Sequence, residues 1–208
     1  MQKIFSQEIR FKDDNGNDYP DWEKKKLGDV CDQPMYGMNS AAIEFDGIHK
    51  YIRITDIDEG TRTYKPNPLT SPNGNIEEKY KLKEGDILFT RTGASVGKSY
   101  LYDKFEGDLY FAGFLIKFSV TKANPYFVYV QTTLKEYDKW VLLMSMRSGQ
   151  PGINSKEYSL LNVKLPCLEE QKKIAEFLTN LDKKIEIIDT ELNAVKEFKK
   201  GLLQTMFV

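Results

Sequence analysis

The sequence predicts an α+β fold: a globular domain with a mixed or antiparallel sheet and several loops, followed by a long C-terminal coiled-coil helix. Three observations predict it. Up to Pro166, short runs of β-branched and aromatic residues alternate with clusters of Gly, Pro, Asn and Asp. Beyond Pro166 there is no further Pro and a single Gly, Gly201. Across that second stretch apolar residues recur at alternating spacings of four and three, the pattern of a helix with one apolar seam. The expected division is residues 1–166 for the globular domain and 167–208 for the helix.

The elements follow in order. The stretch to about Gln33 is polar and turn-rich, with DDNGNDYPDW at 13–22, and ends in WEKKKLGDV at 22–30, a short strand or helix. Strands are expected at YIRITDI (51–57), DILFT (86–90), Ser99–Tyr102 and YFAGFLIKFSV (110–120). Loops are expected at KPNPLTSPNGN (65–75), KEGD (83–86) and RTGASVGKS (91–99). NPYFVYVQTTLKEYDKWVLLMSM (124–146) reads as helix, RSGQPGINS (147–155) as a Gly/Ser loop, and 160–165 as a last strand running into Pro166. From Glu169, the residues Ile174, Leu178, Leu181, Ile185, Ile188, Leu192, Val195, Leu202 and Met206 form the seam, broken only at Lys199. A helix from Glu169 to Phe207 is roughly 58 Å long. One small domain is too short to cover such a stripe, so a partner helix is expected, with charges flanking the seam on both sides.

Composition bounds the function. The 208 residues suit one good-sized domain plus an extension, and 40% hydrophobic with 29% charged residues is ordinary for a globular protein. There is no apolar run near the ~20 residues of a membrane span, and the N-terminus lacks a signal-peptide core. Cys31 and Cys167 form no metal spacing, and a reduced, cytoplasmic setting is the simplest reading. A net charge of −1 excludes an indiscriminate, histone-like binder. Residues 33–168 carry 17 basic against 15 acidic residues, too slight an excess to identify a nucleic-acid binder by charge.

GASVGKS at 93–99 invites a nucleotide-binding reading. The phosphate loop needs four residues between its first Gly and Gly-Lys, and here only Ala94, Ser95 and Val96 intervene. A tight turn between two strands accounts for it better, with Arg91 and Lys98 able to meet a phosphate backbone. NPYF at 124–127 resembles the Asn-Pro-Pro-Tyr/Phe element of amino-methyltransferases, but lacks the second Pro. An X-Pro helix start is the better account. His49 is the only histidine and has no metal or triad partners. Glu169–Glu170 reads as a solvated first helical turn, favoured by the macrodipole. No set of nucleophile, base and orienter stands out, so no catalysis, cofactor or metal is expected. RSGQPGINS offers Arg147, Gln150 and Asn154, side chains with the geometry to read base edges, though from composition alone a helix C-cap and linker is the better account.

Together, WEKKKLGDV, YIRITDI, GDILFTRTGASVGKS (85–99), RSGQPGINSKEYSLLNVKLPCLEEQKKIAEFLTNLDKKI (147–185) and KKGLLQTMF (199–207) resemble the specificity (S) subunits of bacterial Type I restriction–modification systems. Their order matches that family, and they span almost the whole chain. The most specific run starts at Leu165: L-P-x-L-x-E-Q-x-x-I-A, then Leu-Asp and a heptad helix, with Cys167 standing where the family often has Pro. The resemblance implies a target-recognition domain that reads one half of a split sequence in double-stranded DNA. It also implies a spacer helix that pairs antiparallel with a second such helix. Methyltransferase subunits would dock and methylate adenine, and a motor-nuclease restriction subunit would join them. Family members carry two domains and two helices. Met1-Gln2-Lys3-Ile4-Phe5 is similar to Leu203-Gln204-Thr205-Met206-Phe207, which implies a module from a head-to-tail repeat: half of a subunit, or a half-length subunit that dimerises.

On this resemblance, base reading is expected from Tyr36, Asn39, Arg91, Ser95, Lys98, Arg147, Gln150 and Asn154, and phosphate contact from Lys50, Arg53, Arg62 and Lys65. The dimerisation seam is Ile174, Leu178, Leu181, Ile185, Ile188, Leu192, Val195 and Leu202. A nucleotide-dependent enzyme built on GASVGKS and a coiled-coil scaffold without DNA contact are the alternatives.

Overall fold

A computed structural model describes residues 1–146 and 150–206, the last two of these by their backbone alone. Its centre is β6 (Asp86–Thr90), every residue of which is buried. It lies between β7 (Ser99–Leu101) and β9 (Leu115–Ser119), and β2 (Met35–Tyr36) completes an antiparallel sheet in the order β2-β9-β6-β7. Period two sorts the side chains. Ile87 and Phe89 of β6 join Ile116 and Phe118 of β9 in one core, while Leu88 and Leu115 turn to a second core with Tyr100, Phe111 and Ile52. Both faces are covered, which is why Ile87, Leu88 and Phe89 at the centre of DILFT are apolar without alternation.

Smaller pairings surround the sheet. β1 (Glu23–Lys26) pairs antiparallel with β10 (Asn162–Leu165), β3 (Ala42–Glu44) pairs antiparallel with β5 (Thr70–Pro72), and β4 (Lys50–Ile52) pairs parallel with β8 (Leu109–Phe111). The fold is thus α+β with a predominantly antiparallel sheet, as predicted.

Helices close the larger core. α1 (Gln2–Phe5) buries Ile4 and Phe5, and Phe5 meets the rings of Trp22 and Phe127. α2 (Leu27–Val30) buries Leu27 and Val30. α3 (Pro125–Gln131) starts as an Asn-Pro pair should: Asn124 caps it by accepting from the Phe127 N–H at 2.9 Å. α4 (Lys135–Ser145) and α5 (Ser155–Ser159) follow.

Several predicted elements prove shorter. YIRITDI is strand only to Ile52. Asp56, 1% exposed, accepts from the Arg53 N–H and its guanidinium and turns the chain into a 3₁₀ turn. The run 110–120 is two strands, because Gly113 turns there and donates to the Met38 carbonyl at 2.7 Å. The helix expected over 124–146 is two, since the hydroxyls of Thr132 and Thr133 bond the Tyr129 and Val130 carbonyls and compete with the helical ladder. α5 was not anticipated, although Asn154 and Glu157 form a capping box whose spacing is visible in the sequence.

α6 (Leu168–Met206) runs 39 residues. Its first turns are part of the larger core: Ile174, Ala175 and Leu178 are buried. Glu170 is 0% exposed, so it is not the solvated first-turn residue expected from sequence. Its carboxylate accepts from Arg10 Nε and Nη2, both at 3.0 Å, and from Trp22 Nε1 at 3.1 Å. Arg10 also donates to the Tyr19 and Pro20 carbonyls. Gln171 donates to the Pro166 carbonyl and accepts from the Asn124 N–H. The Glu-Gln pair after Pro166 therefore clasps the helix to both the N-terminal segment and the start of α3.

Cys31 is buried, and burial pushes its thiol up to about 12. A raised thiol stays protonated and unreactive below that pH. At pH 8 a thiol reagent is expected to modify the partly exposed Cys167 in the native protein and to reach Cys31 only on unfolding. Two equally fast thiols would mean that the core around β9 opens readily.

Candidate nucleic-acid interface

The two Gly-rich loops and β2 meet at one end of the central sheet. Thr92 and Gly152 form an antiparallel bridge, Gly93 N–H donates to the Pro151 carbonyl at 3.1 Å, and Ile153 N–H donates to the Arg91 carbonyl at 2.9 Å. Two buried tyrosines fix the base of the turn: Tyr158 donates to the Thr90 carbonyl at 2.8 Å and Tyr137 to the Gly97 carbonyl at 2.7 Å. GASVGKS is a tight 3₁₀ turn (Gly93–Ser95) between β6 and β7. A strand follows it where a phosphate loop needs a helix N-terminus, so the nucleotide-binding alternative lacks its scaffold.

Three predicted residues gather here. The Arg91 guanidinium carbon lies 5.0 Å from the centre of the Tyr36 ring and 5.7 Å from that of Phe114. Gln150 flanks them, its Nε2 being 3.5 Å from where a Cβ on Gly93 would sit. Tyr36 is held by the Ser155 N–H, which donates to its hydroxyl at 3.1 Å. Burial alone would raise the Tyr36 phenol, but the Ser155 hydrogen bonds and the Arg91 cation outweigh it and leave it below its ordinary value. Phe114, 56% exposed, escaped the sequence reading. The only hint was an aromatic beside a Gly inside an otherwise apolar run.

The other predicted residues are placed differently. Ser95 sits in the turn, its carbonyl accepting from the Thr90 hydroxyl. Lys98 is turned inward: Nζ donates to the Ile57 carbonyl at 2.9 Å and pairs with Glu59 at 3.2 Å, so it is not a free contact. Arg62 bonds Ser99 Oγ and the Thr132 carbonyl and pairs with Asp138 at 3.7 Å. Arg53 is engaged by Asp56. These two arginines hold turns together, and their charge is neutralised by carboxylates. Asn154 commits its side-chain oxygen to capping α5. Lys50 donates to the Glu106 carbonyl at 2.6 Å, and exposed Lys65 stands 3.5 Å from Asp58. Asn39 is exposed in a separate cleft with Ser40, Asn73, Asn75 and Tyr80. Arg147 lies outside the described residues.

Of the seam residues, Ile174 and Leu178 spend their apolar surface inside the chain's own core, which corrects their assignment to a partner helix. Leu181, Ile185, Ile188, Leu192, Val195 and Leu202 are 40–63% exposed. Among the described residues, no group of three or more His, Cys, Asp and Glu could hold a metal ion, and no helix is long and apolar enough to cross a membrane.

A family model for the Type I restriction modification DNA specificity domain matches residues 19–197. The chain belongs to this family. Among curated relatives, it is 27% identical over 210 residues to the putative type I restriction enzyme MjaX specificity subunit of Methanocaldococcus jannaschii, covering 98% of this chain and 49% of that protein. It is 26% identical to the MjaVIII specificity subunit of the same organism, covering 98% and 46%. The HindI specificity subunit of Haemophilus influenzae is 27% identical, at 90% and 41%. The chain thus spans about half the length of the specificity subunits it matches. The fold is shared with the HsdS subunit of Thermoanaerobacter tengcongensis, at a TM-score of 0.58 and 19% identity over 82% of this chain and 40% of that one. It is shared too with a chain of a type I R-M system solved for its complex assembly, at a TM-score of 0.61 and 18% identity over 90% and 44%. Within the specificity-domain family, then, this chain's loop cluster sits on a shared fold.

Proposed function

We propose that this chain recognises one half of a bipartite sequence in double-stranded DNA and directs Type I methyltransferase subunits, and through them a restriction subunit, to it. It performs no catalysis and takes no cofactor. Residues 1–166 act as the target-recognition domain. Residues 167–208 act as the spacer, whose exposed seam from Leu181 onward pairs with a second long helix, in another copy of this module. The setting is the cytoplasm, with its DNA. One observation carries the reading: a rigid loop cluster at the sheet end presents Arg91, Gln150 and an exposed aromatic in a chain of the DNA specificity-domain family.

The test is a gel-shift titration of duplex DNA with the chain, alone and with the methyltransferase subunit of its own system. Binding is expected to be weak alone, strong and sequence-specific in the complex, and to fall with salt on a log–log plot. Changing exposed Lys65 to Ala is expected to reduce that slope by about one unit if it meets a phosphate. Absence of sequence-specific binding by the complex would refute the proposal.

A further inference from the structure

Arg91 differs from every other arginine among the described residues. Arg10 is bonded to Glu170, Arg53 to Asp56, and Arg62 to Ser99 and Thr132 with Asp138 beside it. Arg91 forms no ion pair among the described residues, and its Nε is buried without a hydrogen-bond partner. Its charge is met instead by the faces of Tyr36 and Phe114.

Two rings do more than attract a cation. A guanidinium is planar, and two rings within cation–π distance of it restrict how that plane can turn. Tyr36 is itself pinned by the Ser155 N–H. The turn that carries Phe114 is closed on Arg91 by the bond from the Arg91 N–H to the Phe114 carbonyl at 3.1 Å. Nε is sealed while the residue as a whole is partly exposed, so the terminal nitrogens, beside the Tyr36 hydroxyl, are the end able to meet a ligand. A phosphate, contacted as a diffuse charge, gains little from so fixed a plane. A pair of acceptors lying side by side gains a great deal, and guanine is the base whose major-groove edge carries two acceptors, O6 and N7.

We propose that Arg91 is the residue that reads a guanine in the half-site, through its terminal nitrogens, and that Tyr36 and Phe114 are positioning residues for it. The assignment rests on the DNA-reading function proposed above. It names one base pair, G·C, as part of the target.

The test is selection of bound duplexes from a randomised library by the complex of this chain with its methyltransferase subunit. The wild-type half-site is expected to contain an invariant G·C pair. Arg91→Lys keeps the charge and loses the fork, so discrimination at that pair should fall on the order of 10- to 100-fold while preferences elsewhere and the salt slope stay. Tyr36→Leu, which removes one ring, should relax the same position and no other. Thermal unfolding of both variants near the wild-type temperature shows that the fold is intact. A consensus that Arg91→Lys leaves unchanged overturns the assignment alone. So does a uniform loss of affinity in Arg91→Gln with a slope lower by about one unit, the mark of a phosphate contact. A wild-type complex that selects no sequence overturns the DNA-reading function, and the assignment with it.

Discussion

Replacing Arg10 with Ala is expected to lower the unfolding free energy by about 3–5 kcal/mol, the cost of leaving a buried carboxylate without its cation. Glu170 is wholly buried at the first turn of α6, and Arg10 gives it two of its three donors. Of those three donors only Trp22 Nε1 is then left to a carboxylate that is wholly buried in the native fold. The converse change should be milder. Glu170→Gln leaves Arg10, whose side chain is 23% exposed, free to find solvent, and the amide still accepts one bond. We expect about 2 kcal/mol, in the range for loss of a charged hydrogen bond. For a chain of this size the Arg10→Ala loss corresponds to a drop in melting temperature of about 10 °C. Denaturant unfolding of the two variants is the measurement. If each loses under about 1 kcal/mol, the clasp does not hold α6 to the domain.

Gly37→Ala is expected to cost about 3 kcal/mol, at the upper end of overpacking, and to cost DNA affinity besides. A Cβ at Gly37 would lie 2.3 Å from the Ala112 carbonyl oxygen and 2.4 Å from that of Phe111. Both are backbone atoms, so no side chain can swing aside. β2 would have to lift from β9, loosening the Gly37 N–H bond to the Leu115 carbonyl and the Met38 N–H bond to the Phe111 carbonyl. Tyr36 is the neighbouring residue and one of the two rings against Arg91. Unfolding by denaturant measures the first effect. Binding to a selected half-site, well below the melting temperature, measures the second. A variant with wild-type stability and affinity would show that the approach of Gly37 to β8 is not required.

Periodicity and punctuation made the central sheet and the long helix legible. DILFT was read to the residue, and the change of pattern at Pro166 marked where α6 starts. What escaped lies where side chains override the local pattern. Asp56, Thr132, Thr133 and Gly113 end elements that composition would continue. At the site, residue type alone does not separate a cation that faces a ligand from one that faces its own backbone. Lys98 and Arg62 look as available as Arg91 in sequence, yet carbonyls and carboxylates far along the chain occupy them. Phe114 becomes meaningful only once the turn after β8 is brought over Arg91. The burial of Ile174 and Leu178 was hidden for the opposite reason: their spacing continues smoothly into the exposed seam, so the heptad pattern does not show where the domain ends.

α6 meets the domain over its first turns, and among the described residues the hydrogen bonds between them end at Tyr126 with Asp182. From there to Met206 the rod extends about 36 Å, and residues 181–204 are all exposed. It is therefore a lever pivoted at one end. A tilt of about 5° at the pivot swings the tip by about 3 Å, close to the ~3.4 Å step between stacked base pairs. If this rod measures out the distance between two half-sites, the accuracy of that ruler cannot reside in its anchorage alone. It has to come from whatever braces the far end.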